Sequence, residues 1–416
     1  MISPAWLGLC VFLVLAWLLS ENRRRFPWRT VVAGLGLQVL VAWLILRTEA
    51  GKAFFGGLDQ TFRVLLGFAE QGTAMVFGPL ANADLLRERL GEGHAFIFVV
   101  TVTGTIILVS ALSALLFHYG ILQWVVRLMA AVMRRSMGTS GSESLAAAAN
   151  IFMGQAETPL VVRPWLATMT RSELLSLMVG GMATIAGGVF AAYVGFGISA
   201  GHLLTASVMS APAALLVAKI LLPETRVPAA QPTVPADPDE VPVNGLDALC
   251  RGACEGLLLS GRVMAVIIAL VACIALANHL LSLLLGLVGM EVTTPLQSLF
   301  GWLNAPCAWL MGIPWQDCHT IGALLGERIV LNELVAYLHL SELLRQEGGV
   351  EPRSAVIATY ALCGFANFAS IAIQIGGLGA LVPERRAELA RLGLRAMIGG
   401  LLACYLTATI AGLLTP

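Results

Sequence analysis

Charge is what this chain has least of. Only 12% of its 416 residues are Asp, Glu, Lys or Arg, where soluble domains carry roughly a quarter. With 58% hydrophobic residues and a mean hydropathy of +0.84, a folded surface of this size needs lipid over much of it, which excludes an ordinary soluble protein. The 25 basic and 25 acidic residues cancel, and no basic block or Arg and Lys stripe interleaved with aromatics occurs. No nucleic acid partner is therefore expected. CxxC pairs are missing too: the eight cysteines (10, 250, 254, 273, 307, 318, 363, 404) sit mostly in apolar runs, with Cys250 and Cys254 one residue too far apart. A redox dithiol or zinc site is not indicated, and the thiols read as small buried hydrophobes. HExxH is absent, and the six histidines (94, 118, 202, 279, 319, 339) form no close metal pair. Gly197-Ile198-Ser199-Ala200-Gly201 spells GxSxG at an expected helix end with no strand before it, so it reads as helix packing rather than a nucleophile elbow. No enzyme and no organic cofactor is expected.

What is present is a series of long apolar runs. Ile2 to Ser20 is long enough to cross the hydrocarbon, yet Arg23, Arg24, Arg25 and Arg29 follow it and nothing positive precedes it. A cleaved signal peptide carries charge the other way round, and the positive-inside rule puts the N-terminus outside the cytoplasm. Further spans are predicted near 30–46, 95–117, 173–199, 202–222, 258–288, 354–380 and 393–414. The expectation is an all-α polytopic membrane protein of eight transmembrane helices, with both termini outside. Seventeen of the 25 Lys and Arg then fall in cytoplasmic segments and eight outside, which agrees with that orientation.

Between 223 and 246 the composition turns to six prolines with Glu224, Asp237, Asp239 and Glu240, a solvated cytoplasmic linker. On either side the parts follow in a similar order. Residues 95–222 hold a span, an amphipathic stretch (119–138), a broken segment (142–170) and two spans; residues 247–416 hold a span, an amphipathic stretch (293–313), a broken segment (317–345) and two spans. Three crossings per half invert the second relative to the first, an inverted repeat of the kind many secondary transporters use. Residues 1–94, with two peripheral spans and an amphipathic, interfacial segment from Phe54 to Phe77, are read as a scaffold or oligomer contact.

The broken segments carry the chemistry. In 142–170 an apolar stretch is interrupted by Gly154, Gln155, Glu157 and Pro159, which predicts a re-entrant hairpin whose polar tip faces protein or a water-filled cavity. Glu157 paired with Arg163 at the protein surface is the plainer alternative. In 317–345 the polar group is Gly326, Glu327, Arg328, Asn332 and Glu333. Glu327 beside Arg328 reads as a surface pair, whereas Glu333 lies among apolar neighbours, where a charge needs a ligand or partner. Small residues at Thr184–Gly188 and Cys363–Ser370 let each following span unwind, and Asn367 and Ser370 sit three residues apart on one face. Two tips and two discontinuous helices converging near the midplane would offer carboxylates, amides and hydroxyls, a set suited to a neutral ligand rich in donors.

At these residues the sequence resembles the concentrative nucleoside transporter family. Asn150 to Leu166 (NIFMGQAETPLVVRPWL) is similar to its first hairpin; Leu331 to Tyr337 (LNELVAY) and Cys363 to Leu378 (CGFANFASIAIQIGGL) are similar to its second hairpin and the unwound helix after it. The likeness runs from about residue 95 to the C-terminus. It implies sodium-coupled nucleoside symport into the cell, for uridine, adenosine and similar substrates, by a homotrimer with an elevator-like moving domain in the lipid of a bacterial inner membrane. It implies nucleobase contacts from Gln155 and Glu157 with Val189 beside the base, ribose contacts from Glu333, Asn367 and Ser370 with Phe365 lining the site, and Na+ held by Asn150, Thr184 and the carbonyls of Met153 and Ile185. Ala156 stands where members often have Thr or Ser, and Leu334 where Phe is common. The oxygens of Asn150 and Thr184 favour Na+; a proton carried by Glu157 or Glu333 is the alternative, as is another small polar solute.

Overall fold

The computed structural model describes residues 4–90, 97–228, 242–287, 289, 290, 292, 294–346 and 348–415. The start of the chain at Ile2, the predicted third-span start at 95 with its boundary after 94, His94, and most of the Pro-rich linker with Asp237, Asp239 and Glu240 lie outside the described residues. Among the described residues all regular structure is helical. The first half runs α1 (Pro4–Leu18), α2 (Trp28–Arg47), α3 (Glu49–Phe77), α4 (Ala83–Leu90), α5 (Phe98–His118), α6 (Ile121–Met137), α7 (Gly141–Ala149), α8 (Thr158–Val161), α9 (Arg163–Leu166), α10 (Arg171–Ala183), α11 (Gly187–Gly195) and α12 (Ala200–Leu221). The second runs α13 (Gly245–Gly286), α14 (Pro295–Leu310), α15 (Trp315–Val330), α16 (Glu333–Arg345), α17 (Pro352–Leu362), α18 (Phe368–Leu381) and α19 (Arg386–Leu414).

The breaks fall where the small and polar residues stand. The run predicted as one span at 173–199 is two helices parted at Thr184–Ala186, and that at 354–380 is parted at Cys363–Asn367. The 119–138 stretch is α6, which meets the helix before it at 74° through Gly120, whose φ of 77° is left-handed. Val126, Ala130, Met133 and Met137 form its buried face, and Trp124, Leu128 and Val132 stay exposed. The predicted span at 258–288 is longer than expected, a 42-residue helix from Gly245. Asp247, Arg251 and Glu255 depress its hydropathy, but Asn244 caps it, and Gly252 and Gly256 let it lie against α5: a Cβ on Gly256 would stand 2.8 Å from the Ile107 Cα.

The core is built around α10, where twelve of thirteen residues are buried, with α7, α12 and α19 around it. Helix α19 approaches so closely at Gly400 that a Cβ there would meet Met182 Cβ at 2.8 Å. The peripheral helices are different: Trp6, Trp28, Trp43, Phe68 and Leu258 are exposed, as suits a lipid-facing shell. The same shell corrects the reading of the cysteines. Cys318, Cys363 and Cys404 are buried, but Cys10, Cys250, Cys254 and Cys273 are exposed, because in a membrane an apolar side chain gains nothing by hiding from lipid.

Two capping boxes secure the root of the first hairpin. Glu143 caps the Ser140 N–H and Glu173 caps that of Thr170, and Glu173 also accepts from the hydroxyls of Ser140 and Ser142 at 2.6 and 2.7 Å. Lys219, near the end of α12, lies 2.7 Å from Glu143 and 3.3 Å from Glu224 with its side chain only 6% exposed. Replacing Lys219 with Met leaves Glu143 buried without its counter-charge, which should lower stability by about 3–5 kcal/mol. The thermal unfolding midpoint checks this, and the Lys219→Met, Glu143→Gln double variant should recover much of the loss.

Candidate functional site

Helix α7 ends at a buried run, Ala146–Ala149, and Asn150 takes its C-cap. From there the chain turns without regular helix until Thr158. The Gly154 N–H donates to the Glu157 carboxylate at 3.0 Å, and Pro159 falls in the first turn of α8, where its missing N–H is harmless. A Cβ on Gly154 would stand 2.9 Å from the Ala186 Cβ, and the Gly187 N–H donates to the Phe152 carbonyl at 3.2 Å. The tip of hairpin 1 is thereby seated on the break between α10 and α11.

In hairpin 2 the interruption is at Leu331 and Asn332, and the Asn332 side chain caps α16 by accepting from the Val335 N–H. Glu333 is the first residue of that helix. Asn367 likewise caps α18 by accepting from the Ser370 N–H at 2.8 Å. The two helix breaks touch each other: the Phe365 N–H donates to the Thr184 carbonyl at 3.3 Å.

Around this crossing the polar side chains of both halves interlock. Glu333 accepts from the Tyr193 hydroxyl at 2.9 Å and from Asn367 Nδ2 at 3.2 Å. Gln155 Nε2 donates to Ser370 Oγ at 2.9 Å, and Gln374 Nε2 donates to both Gln155 Oε1 at 3.2 Å and the Met178 carbonyl at 3.0 Å. Glu333, Asn367, Ser370, Val189 and Phe365 are all buried. Of the residues singled out from sequence, Gln155, Glu333, Asn367 and Ser370 are brought together. Val189 lies one helical turn before Tyr193 on α11, and Glu157 is exposed and turned to its own hairpin.

Sequence reasoning missed Tyr193 and Gln374. The signal for Gln374 is its spacing, four residues after Ser370 and seven after Asn367 on the same helical face; Tyr193 stands four after Val189 in the same way. The surface pair expected at Glu327 and Arg328 is not found. Both are buried; Glu327 pairs with His339 at 2.8 Å, and Arg328 donates to the Ala361 carbonyl. Adjacent helical residues point to different faces, so neighbours in sequence rarely pair. At Gly197–Gly201 the expected helix packing is instead a helix start: Ser199 caps α12, accepting from the His202 N–H while its hydroxyl faces Asp59.

A second feature adjoins the network. Asn150 is fully buried, and among the described residues neither amide atom has a hydrogen-bond partner. Its amide packs on Gly180, where a Cβ would stand 2.7 Å from Nδ2. Thr184 is 1% exposed, its hydroxyl donating to the Gly180 carbonyl, with Ile185 beside it and half-buried Met153 in the hairpin turn. Thr158 Oγ1, which sequence reasoning also missed, is a further buried oxygen without a hydrogen-bond partner among the described residues. An orphaned buried amide is expensive unless something satisfies it. Neutral hard oxygens suit an alkali cation, and no group of three His, Cys, Asp or Glu that could hold another metal occurs among the described residues.

Comparison with known proteins gives this geometry its context. Residues 202–412 match the family model described as Na+ dependent nucleoside transporter C-terminus, residues 7–80 its N-terminus, and residues 99–200 a nucleoside recognition gate. The uncharacterized transporter YutK of Bacillus subtilis is 40% identical over 98% of both chains. Sodium/nucleoside cotransporter 1 of Rattus norvegicus is 38% identical over 98% of this chain, which spans 63% of that longer protein. The structure of CNTnw in an inward-facing substrate-bound state superposes with a TM-score of 0.93 at 37% identity, covering 99% of this chain and 97% of that one. A variant of CNTnw in an outward-facing state gives a TM-score of 0.95 at 38% identity over the same shares. Matched by the family model along its whole second half and by full-length relatives at this identity, the chain belongs to the Na+ dependent nucleoside transporter family, whose members carry solutes across membranes and are not enzymes.

Proposed function

We propose that this chain is a sodium-coupled nucleoside symporter working by alternating access, with its substrate bound at the crossing of the two hairpins. The observation that carries this reading is the chain of hydrogen bonds from Tyr193 through Glu333, Asn367 and Ser370 to Gln155, which joins both halves beside an unsatisfied Asn150. Glu333, Asn367 and Ser370 would take the ribose hydroxyls, with Phe365 against the sugar; Gln155 and Glu157 would take the base edge, with Val189 beneath it. Each of these five polar side chains already holds a hydrogen bond, and Gln374 Oε1 beside them holds none among the described residues, so a nucleoside enters by exchange. Its hydroxyls replace the Gln155–Ser370 contact, and few buried groups are left unpaired in either state.

Sodium, the coupling substrate, would be held by Asn150, Thr184 and the carbonyls of Met153 and Ile185. Coupling follows from contact. The same Thr184 whose carbonyl receives the Phe365 N–H belongs to the cation's shell, so ordering hairpin 1 around the ion also fixes the floor of the ribose site. A ligand shifts such an equilibrium by its differential affinity for the two conformations. The moving unit would be the hairpins with their broken helices, riding against residues 1–94 and their neighbours as scaffold in a homotrimer, on the plan of an inverted repeat across 95–222 and 247–416. The protein would sit in a bacterial inner membrane with both termini outside, surrounded by lipid.

Uptake of labelled uridine and adenosine into proteoliposomes tests this. Accumulation of unchanged nucleoside is expected with an inward Na+ gradient and not with K+ in its place. Uptake driven only by an acid exterior would move coupling to a carboxylate, and uptake under neither gradient would point to another solute.

A further inference from the structure

Among the described residues Arg328 is the largest fully buried side chain, at 0% exposure, in the last turn of α15 inside hairpin 2. Burying a guanidinium is expensive unless its charge is balanced. Its partners are few. Nη1 donates to the Ala361 carbonyl, the guanidinium carbon lies 5.5 Å from the centroid of the Tyr405 ring, the Cys404 thiol and Tyr405 hydroxyl face its charge, and among the described residues Nε and Nη2 make no well-formed hydrogen bond. Of the nearby carboxylates Glu327 pairs with His339, while Glu333, hydrogen-bonded to Tyr193 and Asn367, acts on Arg328 through its charge alone.

Ala361 is the penultimate residue of α17, whose last carbonyls face the break at Cys363–Asn367. A helix C-terminus carries the equivalent of roughly half a negative charge, so this broken end attracts a cation. The broken end of α10 presents the same field. There hairpin 1 supplies Asn150, the residue after its first arm, as a neutral amide with both polar atoms unpartnered among the described residues. In hairpin 2 the residue after the first arm is Leu331, which offers no side-chain ligand. Among the described residues one half thus has an oxygen ligand and no fixed cation at the break; the other has a fixed cation and an apolar residue in the ligand's place.

We propose that Arg328 is a tethered cation, its guanidinium filling between hairpin 2 and the broken end of α17 the place that dissociable Na+ fills between hairpin 1 and the broken end of α10. The parallel rests on the sodium site proposed above; the need for a positive charge at Arg328 does not. Arg328 is a positioning residue. By pinning α17 at Ala361 it holds the following segment where the Phe365 N–H meets Thr184 and Asn367 meets Glu333. The second half then needs no ion of its own.

Uridine uptake by proteoliposomes holding the full chain as Arg328→Ala, Arg328→Met or Arg328→Lys tests this, with millimolar guanidinium or urea added. The Ala and Met variants should lose about tenfold or more in uptake, the rate equivalent of about 1.4 kcal/mol, while Arg328→Lys, which keeps the charge but not the planar fork, should lose less than Arg328→Met. Guanidinium should restore Arg328→Ala; urea, of the same shape and uncharged, should not. Parent-level uptake in Arg328→Met, equal rescue by urea, or no rescue by guanidinium in a variant that still unfolds cooperatively would each overturn the assignment. If Arg328→Ala does not fold, Lys against Met decides the matter by charge at similar length. Sodium dependence of the parent chain in the same vesicles reports separately on the hairpin 1 site: sodium-independent uptake removes the parallel and leaves the guanidinium result standing.

Discussion

Glu333→Gln should raise the nucleoside concentration for half-maximal uptake by about 10- to 150-fold, as expected when a hydrogen bond to a charged acceptor worth about 1.5–3 kcal/mol is weakened. The variant should still fold, and the reason lies in its neighbours. Gln turns one of the two carboxylate oxygens into an NH2 donor. Asn367 cannot rotate to receive it, because its Oδ1 is committed to the Ser370 N–H. The Tyr193 hydroxyl can, by turning from donor to acceptor. The network therefore survives with Gln Oε1 toward Asn367 and the amide toward Tyr193, and what is lost is the charge that ribose hydroxyls would donate to. The sodium requirement should change little. Kinetics of uridine uptake at saturating Na+ check this, and an unaltered half-saturation value would remove Glu333 from the substrate site.

Asn150→Ala should act on the other ligand. Neither amide atom of Asn150 has a partner among the described residues, so its removal deletes an unsatisfied buried group rather than a bond. Without Na+, the thermal unfolding midpoint of the variant should equal or exceed that of the parent, a direction opposite to most core truncations. With Na+ the order should reverse. A ligand at 100 times its dissociation constant stabilises by about 2.7 kcal/mol, and the variant should forfeit most of that shift while needing about tenfold more Na+ or worse for uptake. A sodium-induced shift of the same size in both proteins would place the ion elsewhere.

The legible part of the site is the part whose residues are out of place in a membrane. Gln155, Glu333, Asn367 and Ser370 could be picked out because an amide, carboxylate or hydroxyl inside an apolar run needs a partner, whatever the fold. Gln374 obeys the same rule and shares a helical face with Asn367 and Ser370, whereas Tyr193 and Thr158 are unmarked in the sequence, since a Thr hydroxyl can bond a carbonyl of its own helix and a Tyr ring suits apolar packing. Arg328 was misread because next to Glu327 it looked self-sufficient, and only the fold turns one toward His339 and the other toward the end of α17.

The solvent, the helical class, the places where helices break and the residue types at those breaks are all legible in the order of the residues. All of these follow from local physics: hydropathy over a bilayer's thickness, the missing N–H of proline, the polar groups that lipid cannot satisfy. Pairing, by contrast, comes from the fold. That the carbonyl of Thr184 receives the N–H of Phe365, and that Gln155 meets Ser370, 215 positions away, depends on how two halves of the chain pack. The same holds for burial, since lipid and protein interior are equally apolar, and hydropathy cannot tell exposed Cys273 from buried Cys363.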